Sequence, residues 1–332
     1  MEALYENRAP KIAPRHSKGW YLRRTIMKST SGWLFVLPAV ILMVFFTFYP
    51  IVNSVISAFM NNYEALDNSY RLSIGFENFA KVINNKTGVP AQFLVCLDNT
   101  LFFAFVSVPI STILALLIAV ALNSIKALQK AYQTVLFLPY LTNAIAMGAV
   151  FLTFFHIVGA RRNIETYGLA NNFLGWFGLA PIEWDGIGNT WGNRFIVIIY
   201  EIWAGLPFKI LILFSALQNV NKQYYDAAKV DGASKFTTLW RITVPLISPM
   251  LSYLLITGLM GGLKAYSAIV GIFGQNMGPA GSYEMGTMVG YIYACIEKGQ
   301  TGYAAAGSLI LFAIIMVFTG INMYISKKKV HY

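Results

Sequence analysis

"YYDAAKVDGASKFTTLWRITVP", residues Tyr224 to Pro245, is a patterned polar stretch between two long apolar runs. From Asn221 to Val230 the chain lacks Gly and Pro, and Ala227-Ala228 are strong helix formers, so a short helix is expected there. Gly232 ends it. Ala233 to Arg241 suits a second short helix, and Pro245 stands where the next apolar run begins, a position that tolerates its missing amide hydrogen. Ala227, Ala228 and Gly232 together make a knob with few projecting side chains, which another protein's groove can approach closely. The lysines of the same stretch also suit an interfacial hairpin lying on anionic lipid. Composition alone does not separate these two readings.

The chain around this stretch has 332 residues, 57% of them apolar and only 12% charged, with a mean hydropathy of +0.57. A soluble domain carries about 25% charged residues, so this composition places the chain in a bilayer. The net charge is +11, but its positive residues are separated by apolar runs instead of being gathered on one face, which argues against nucleic acid as a partner. Cys96 and Cys295 have no metal-ligand or disulfide-framework spacing and are expected to pack. No His-Cys-Asp-Glu cluster suits a metal and no serine sits in a G-x-S-x-G context, so no catalytic residue, metal or cofactor is expected. His156 is read as an interfacial residue at the end of a span.

A bilayer core takes about 20 apolar residues of helix. Six segments qualify: Trp33 to Val52, Leu101 to Leu122, Tyr132 to Phe155, Phe195 to Leu217, Leu246 to Phe273 and Ala304 to Ile325. The expected fold is an all-α membrane protein with six transmembrane helices, because barrel strands would be shorter and would alternate apolar with polar residues. Trp33 to Val52 is too long for the core of a cleaved signal peptide and reads as a retained first helix. With both termini in the cytoplasm, 16 of the 25 Lys and Arg residues fall on the inner side and seven on the outer. Cytoplasmic loops are enriched in these residues, which favours this orientation. The expected organisation is a basic cytoplasmic tail over 1–32, a first helix and outer loop over 33–98, a core over 99–326 with a cytoplasmic loop at 219–245, and a basic cytoplasmic end over 327–332. Trp176, Trp184 and Trp191 lie on the outer side, as interfacial anchors or as contacts for an external partner.

The opening stretch resembles the EAA loop of the membrane subunits of binding-protein-dependent ABC importers. That pattern reads Glu-Ala-Ala, three residues, Gly, nine residues, then Ile-x-Leu-Pro. This chain has Asp226-Ala227-Ala228, Gly232 and Ile242-Thr243-Val244-Pro245 at the same spacing, with Asp for Glu and Val for Leu as the departures. "NTLFFAFVSVPISTILALLIAVALNS" and "FLPYLTNAIAMGAVFLTFF" resemble the maltose-type sugar-permease branch, a MetI-like family with the type I importer fold. The resemblance implies that Tyr225, Asp226, Ala227, Ala228, Asp231, Gly232 and Pro245 couple the chain to an ABC ATPase. No G-x-x-x-x-G-K-[ST] occurs, so ATP would be bound and hydrolysed by a separate ATPase dimer, and this chain would itself be no enzyme. The other implied partners are a second, homologous permease, an extracellular substrate-binding protein, membrane lipid and a sugar substrate, in a bacterial cytoplasmic (inner or plasma) membrane.

The same resemblance places substrate contacts on Tyr140 and Ala144, on Glu201, Ala204, Gly205 and Phe208 in "EIWAGLPF", and on Lys264 and Ser267. Glu201 and Lys264 replace amides of the maltose type with opposite charges. Unpaired charge in a membrane is penalised, so two readings follow: the two residues bridge each other in the resting cavity, or Lys264 meets an anionic group on the substrate. Lys209 is the third charge at bilayer depth, where such residues line a cavity or find a partner; snorkelling is the alternative, against a distance of about a dozen ångströms to the inner end of its span. The alternatives are a permease for another solute, such as glycerol phosphate or a polyamine, and an ion-coupled secondary transporter. The latter is weakened by the single deep carboxylate and the lack of internal symmetry.

Overall fold

Backbone amides in hydrocarbon have no water to bond, so a chain this apolar satisfies them within helices. The computed structural model describes residues 33–61, 73–89, 91–125, 129–158 and 166–329. The basic tail expected over 1–32, the end at 330–332 and the charges at Arg71, Lys126, Arg161 and Arg162 lie outside the described residues. The helices are α1 (Trp33–Phe59), α2 (Glu77–Ile83), α3 (Phe93–Ser124), α4 (Gln129–Phe137), α5 (Ala144–Phe155), α6 (Leu169–Trp176) and α7 (Thr190–Gln218). They continue with α8 (Lys222–Val230), α9 (Lys235–Thr238), α10 (Val244–Leu246), α11 (Ser248–Gly262), α12 (Ser267–Phe273), α13 (Met288–Glu297) and α14 (Thr301–Lys329). Two antiparallel ladders of two residues per strand pair Met60–Asn61 with Ser73–Ile74 and Ile157–Val158 with Thr166–Tyr167. The chain divides into two units, Met1–Ile56 and Ser57–Tyr332.

Six spans are present among the described residues, but two of them are not straight. α1, α3, α7 and α14 are each long and apolar enough to cross a membrane; the other two are bent pairs. The span expected over Tyr132 to Phe155 bends by 100° between Leu141 and Ala144. Pro139 sits in a 3-10 turn over Leu138–Leu141, and Asn143 restarts the helix by accepting hydrogen bonds from the amides of Ile145 (2.9 Å) and Ala146 (3.2 Å). The fifth span bends by 72° at its start, between Leu246 and Ser248. Its expected continuation to Phe273 is interrupted after Gly261-Gly262, and the helix resumes as α12 at Ser267. A Gly pair is a recognised site of such breaks.

Lipid tails are as apolar as leucine, so helices in a membrane associate chiefly by close packing at small residues. Gly258 and Gly262 of α11 lie against α3: a Cβ on Gly258 would come within 2.8 Å of Val108 Cγ1, and one on Gly262 within 3.1 Å of the Ala104 Cα. α5 and α12 touch backbone to backbone, since a Cβ on Gly148 would sit 2.8 Å from the Gly271 Cα and one on Gly271 would sit 2.5 Å from the Ile145 carbonyl oxygen. Around α3 and α7 the contacts are aliphatic, with Leu116, Leu122, Leu213, Leu217 and Leu254 buried together. Cys96 and Cys295 are free, buried and packed in one cluster with Phe93 and Tyr291, in keeping with a packing role.

The α3 and α11 contact yields a test. Gly262→Leu inserts a branched side chain where Ala104 already crowds, at a cost of about 1–3 kcal/mol. It should lower the melting temperature of the purified protein clearly more than the same change at Gly261, where a Cβ meets nothing within 4 Å.

Candidate functional site: a capped hairpin and an aromatic stripe

Between α7 and α11 the patterned stretch folds as a tight helical hairpin. Asn221 caps α8 by accepting a hydrogen bond from the Gln223 amide at 3.0 Å. At its other end Gly232 adopts φ +69°, its amide bonds the Lys229 carbonyl at 3.1 Å, and the Ala233 amide bonds the Ala228 carbonyl at 2.9 Å. These paired bonds make the left-handed helix stop that favours glycine. Two residues on, Ser234 caps α9 through the Thr237 amide. Thr243 Oγ1 donates to the Tyr225 hydroxyl at 3.4 Å, tying α8 to the segment that enters α10, and Pro245 occupies the first turn of α10.

The hairpin has two faces. Ala228 is buried and Tyr225 half-buried against their own chain, whereas Asp226, Ala227 and Asp231 are exposed. Val230 is 88% exposed and Phe236 72%, and Phe236 packs beside Trp240. Sequence reasoning missed Val230, Phe236 and Trp240, although large apolar residues just outside a Gly-terminated helix are a visible signal for an exposed patch.

A second group of predicted residues gathers at the break in the third span. Tyr140 lies in the 3-10 turn and stacks on Phe208 of α7, with centroids 6.0 Å apart and planes 19° apart. The Ala144 carbonyl accepts a hydrogen bond from the Tyr200 hydroxyl at 3.0 Å. Glu201, Ala204 and Gly205 are half-buried on α7. Lys264 and Ser267 are exposed at the break between α11 and α12. Glu201 and Lys264 form no ion pair, and the Lys264 side chain bonds no described residue, so the expected bridge is not made in this conformation.

Lys209 does not snorkel. It is buried, and Nζ donates to Ser111 Oγ and, at 3.2 Å, to the Val108 carbonyl oxygen of α3. Ser111 Oγ in turn bonds the Ser107 carbonyl at 2.6 Å. Gly258 and Gly205 border the ammonium, and a Cβ at either would lie in ordinary contact with Nζ, at 3.7 and 3.9 Å. The lysine thus ties α7 to α3 in the interior of the bundle. His156, read as interfacial, pairs through Nδ1 with Asp185.

Residues 99–331 match the family described as binding-protein-dependent transport system inner membrane component. The chain belongs to this family. Its relatives include the arabinooligosaccharides transport system permease protein AraP of Bacillus subtilis, 30% identical over 90% of this chain and 89% of AraP. The lactose transport system permease protein LacF of Rhizobium radiobacter is 27% identical over 90% of this chain and 95% of LacF. The fold matches a chain in the crystal structure of a bacterial ABC transporter involved in the import of the acidic polysaccharide alginate, with a TM-score of 0.75, 23% identity, and coverage of 94% of this chain and 100% of that one.

Within this inner-membrane family fold, Lys209 supplies a charge with no carboxylate of a described residue within ion-pair distance. Even a buried ion pair can often be replaced by apolar side chains of similar volume at no cost or with a gain of about 1–4 kcal/mol, and a buried charge without a paired carboxylate has still less to lose. Lys209→Met should therefore hold or raise the melting temperature of the purified protein, whereas Lys209→Ala, which leaves a void, should lower it. A fall with Met as large as that with Ala would mean that the hydrogen bonds to α3 outweigh the cost of burying the charge.

Proposed function

We propose that this chain is the permease subunit of an ATP-driven importer for an oligosaccharide, supplying half of the passage and one docking element for the motor. The observation that carries the reading is the capped hairpin between α7 and α11, whose exposed Ala227, Val230 and neighbouring Phe236 offer an apolar surface beside the exposed Asp226 carboxylate. In this account the hairpin lies in the cytoplasm, with both termini on the same side, and sits in a cleft of a separate ATPase. Closure of the ATPase dimer displaces the hairpin as a rigid body and tilts α7 and α11, which begin and end in it. A second, homologous permease completes the passage, and an external binding protein delivers the substrate. This chain binds no ATP.

The sugar assignment is supported by the substrates in the names of AraP and LacF and by the stacked Tyr140 and Phe208, whose rings suit the apolar face of a sugar ring. Tyr140, Ala144, Glu201, Ala204, Gly205, Phe208, Lys264 and Ser267 line the passage in this reading. Because Lys264 lacks a carboxylate partner, a substrate bearing an acidic group is the variant it favours. Lys264→Gln should then reduce uptake of an acidic oligosaccharide more than that of a neutral one; equal losses would return Lys264 to binding hydroxyls.

The docking reading is checked by co-purification. In the complete importer, Val230→Asp should strip the ATPase from the tagged permease while leaving the permease's own melting temperature unchanged, since this side chain faces solvent. Retention of the ATPase by Val230→Asp, or uptake driven by an ion gradient without nucleotide, contradicts it.

A further inference from the structure

At the N-terminal end of α7, the end opposite the hairpin, a cavity of about 350 Å³ opens beside α3. It lies at the small end of ligand cavities, which span roughly 300–1,000 Å³. Its walls are aromatic. Trp184 stacks on Phe195 (5.3 Å, 26°), and Phe102 meets Trp191 edge-on at 5.9 Å. The Trp184 indole is fixed by donating to Asn171 Oδ1 at 3.0 Å. Gly192 lines the cavity, and a Cβ there would lie 2.4 Å from the Trp184 carbonyl oxygen.

Arg194 is the cavity's charged group, and it is held along one edge. Nη2 bonds Asp98 Oδ2 and, at 2.9 Å, Asn99 Oδ1, which also accepts from Nε at 3.3 Å. The guanidinium carbon lies 4.6 Å from the Phe102 ring centroid and 5.8 Å from that of Trp191. Nη1 carries two of the five guanidinium N–H donors, and no described residue accepts from it. The cavity is therefore lined by aromatic rings and by a guanidinium whose charge Asp98 offsets and whose Nη1 donors no described residue takes.

That combination selects a ligand class. An acyl chain would cover the rings but leave Nη1 without an acceptor, and a phosphate would meet only one cation, already paired, with the Asp98 carboxylate beside it. A sugar ring offers both an apolar face for the indoles and neutral oxygen acceptors at its edge. Position points the same way. Arg194 and Glu201 are seven residues apart on α7, about 10 Å along the axis and within about 20° of one face. The cavity thus lies on the face of α7 that carries Glu201, two turns further from the hairpin.

We propose that this cavity is a receiving subsite that holds one sugar ring of the incoming saccharide before it reaches Glu201, with Trp191 as the stacking platform and Arg194 Nη1 as the donor. The proposal rests on the carbohydrate reading given above. It is tested with the complete importer in proteoliposomes, by uptake of labelled arabinotriose, maltotriose and trimannuronate. Trp191 is 72% exposed, so Trp191→Leu gives up only its edge contact with Phe102 and its contact with Arg194. It should raise the half-saturating saccharide concentration about tenfold at an unchanged maximal rate, and Trp191→Phe should restore it to within about twofold, as a ring face is retained. Arg194→Lys, which keeps a cation for Asp98 but removes Nη1, should also raise it. Unaltered Trp191→Leu kinetics, or a defect that appears only when the vesicles contain phosphatidylglycerol, would make these residues a lipid anchor and overturn the subsite alone. A wild-type importer that moves none of the three saccharides overturns the sugar reading and the subsite with it.

Discussion

Every interruption of a helix inside a bilayer frees backbone groups that water cannot satisfy, and the rest of this structure depends on how the chain answers that constraint. Asn143 restarts α5 after the Pro139 turn, and Asn189 starts α7 by accepting from the Gly192 amide. Thr287 opens α13, its hydroxyl also donating to the Ala265 carbonyl in the interrupted segment after α11. Side chains thus close the third-span turn, at Asn143, and reach the interrupted segment after α11, through Thr287, whereas the bend between Leu246 and Ser248 carries no side-chain cap. Lys209 obeys the same rule from the other side, bringing donors to the Val108 carbonyl and Ser111 in the interior of the bundle.

In the proposed mechanism the hairpin is the point at which this architecture meets the ATPase. Its turn is set by one glycine with positive φ, its two helices are each capped, and Thr243 fastens its base to Tyr225. These bonds restrict the hairpin's own torsions, so that it can be displaced as one unit. In the proposed mechanism this stiffness is the means of transmission, while the glycine contacts of α11 with α3 and of α5 with α12 provide smooth surfaces along which spans can shift.

Much of the fold was legible in the sequence, because about 20 uninterrupted apolar residues have few other uses. The hairpin was legible too, since Gly232 and Pro245 punctuate it locally. The breaks were harder: Pro139 marks a kink, but the restart at Asn143, the bend between Leu246 and Ser248 and the interruption after Gly261-Gly262 are not registered by apolar periodicity. Charge placement was read least well. Lys209 was legible as a deep charge needing a partner, but not that the partners would be Ser111, 98 positions away, and the Val108 carbonyl. Glu201 and Lys264 are unpaired because the break between α11 and α12 leaves Lys264 exposed, which composition does not reveal. His156 and Asp185 are 29 positions apart, a distance over which sequence alone predicts no pairing.

The claim that this hairpin moves as one stiff unit is tested most directly by spin-label distance measurements between Gln223 and Lys235 in the assembled importer. The account predicts a narrow distance distribution that stays unchanged between the nucleotide-free and the ATP-trapped states, while the distance from Gln223 to a label at Trp176 shifts. A Gln223 to Lys235 distance that broadens or changes on trapping would contradict it, because the motor's work would then be absorbed inside the turn at Gly232.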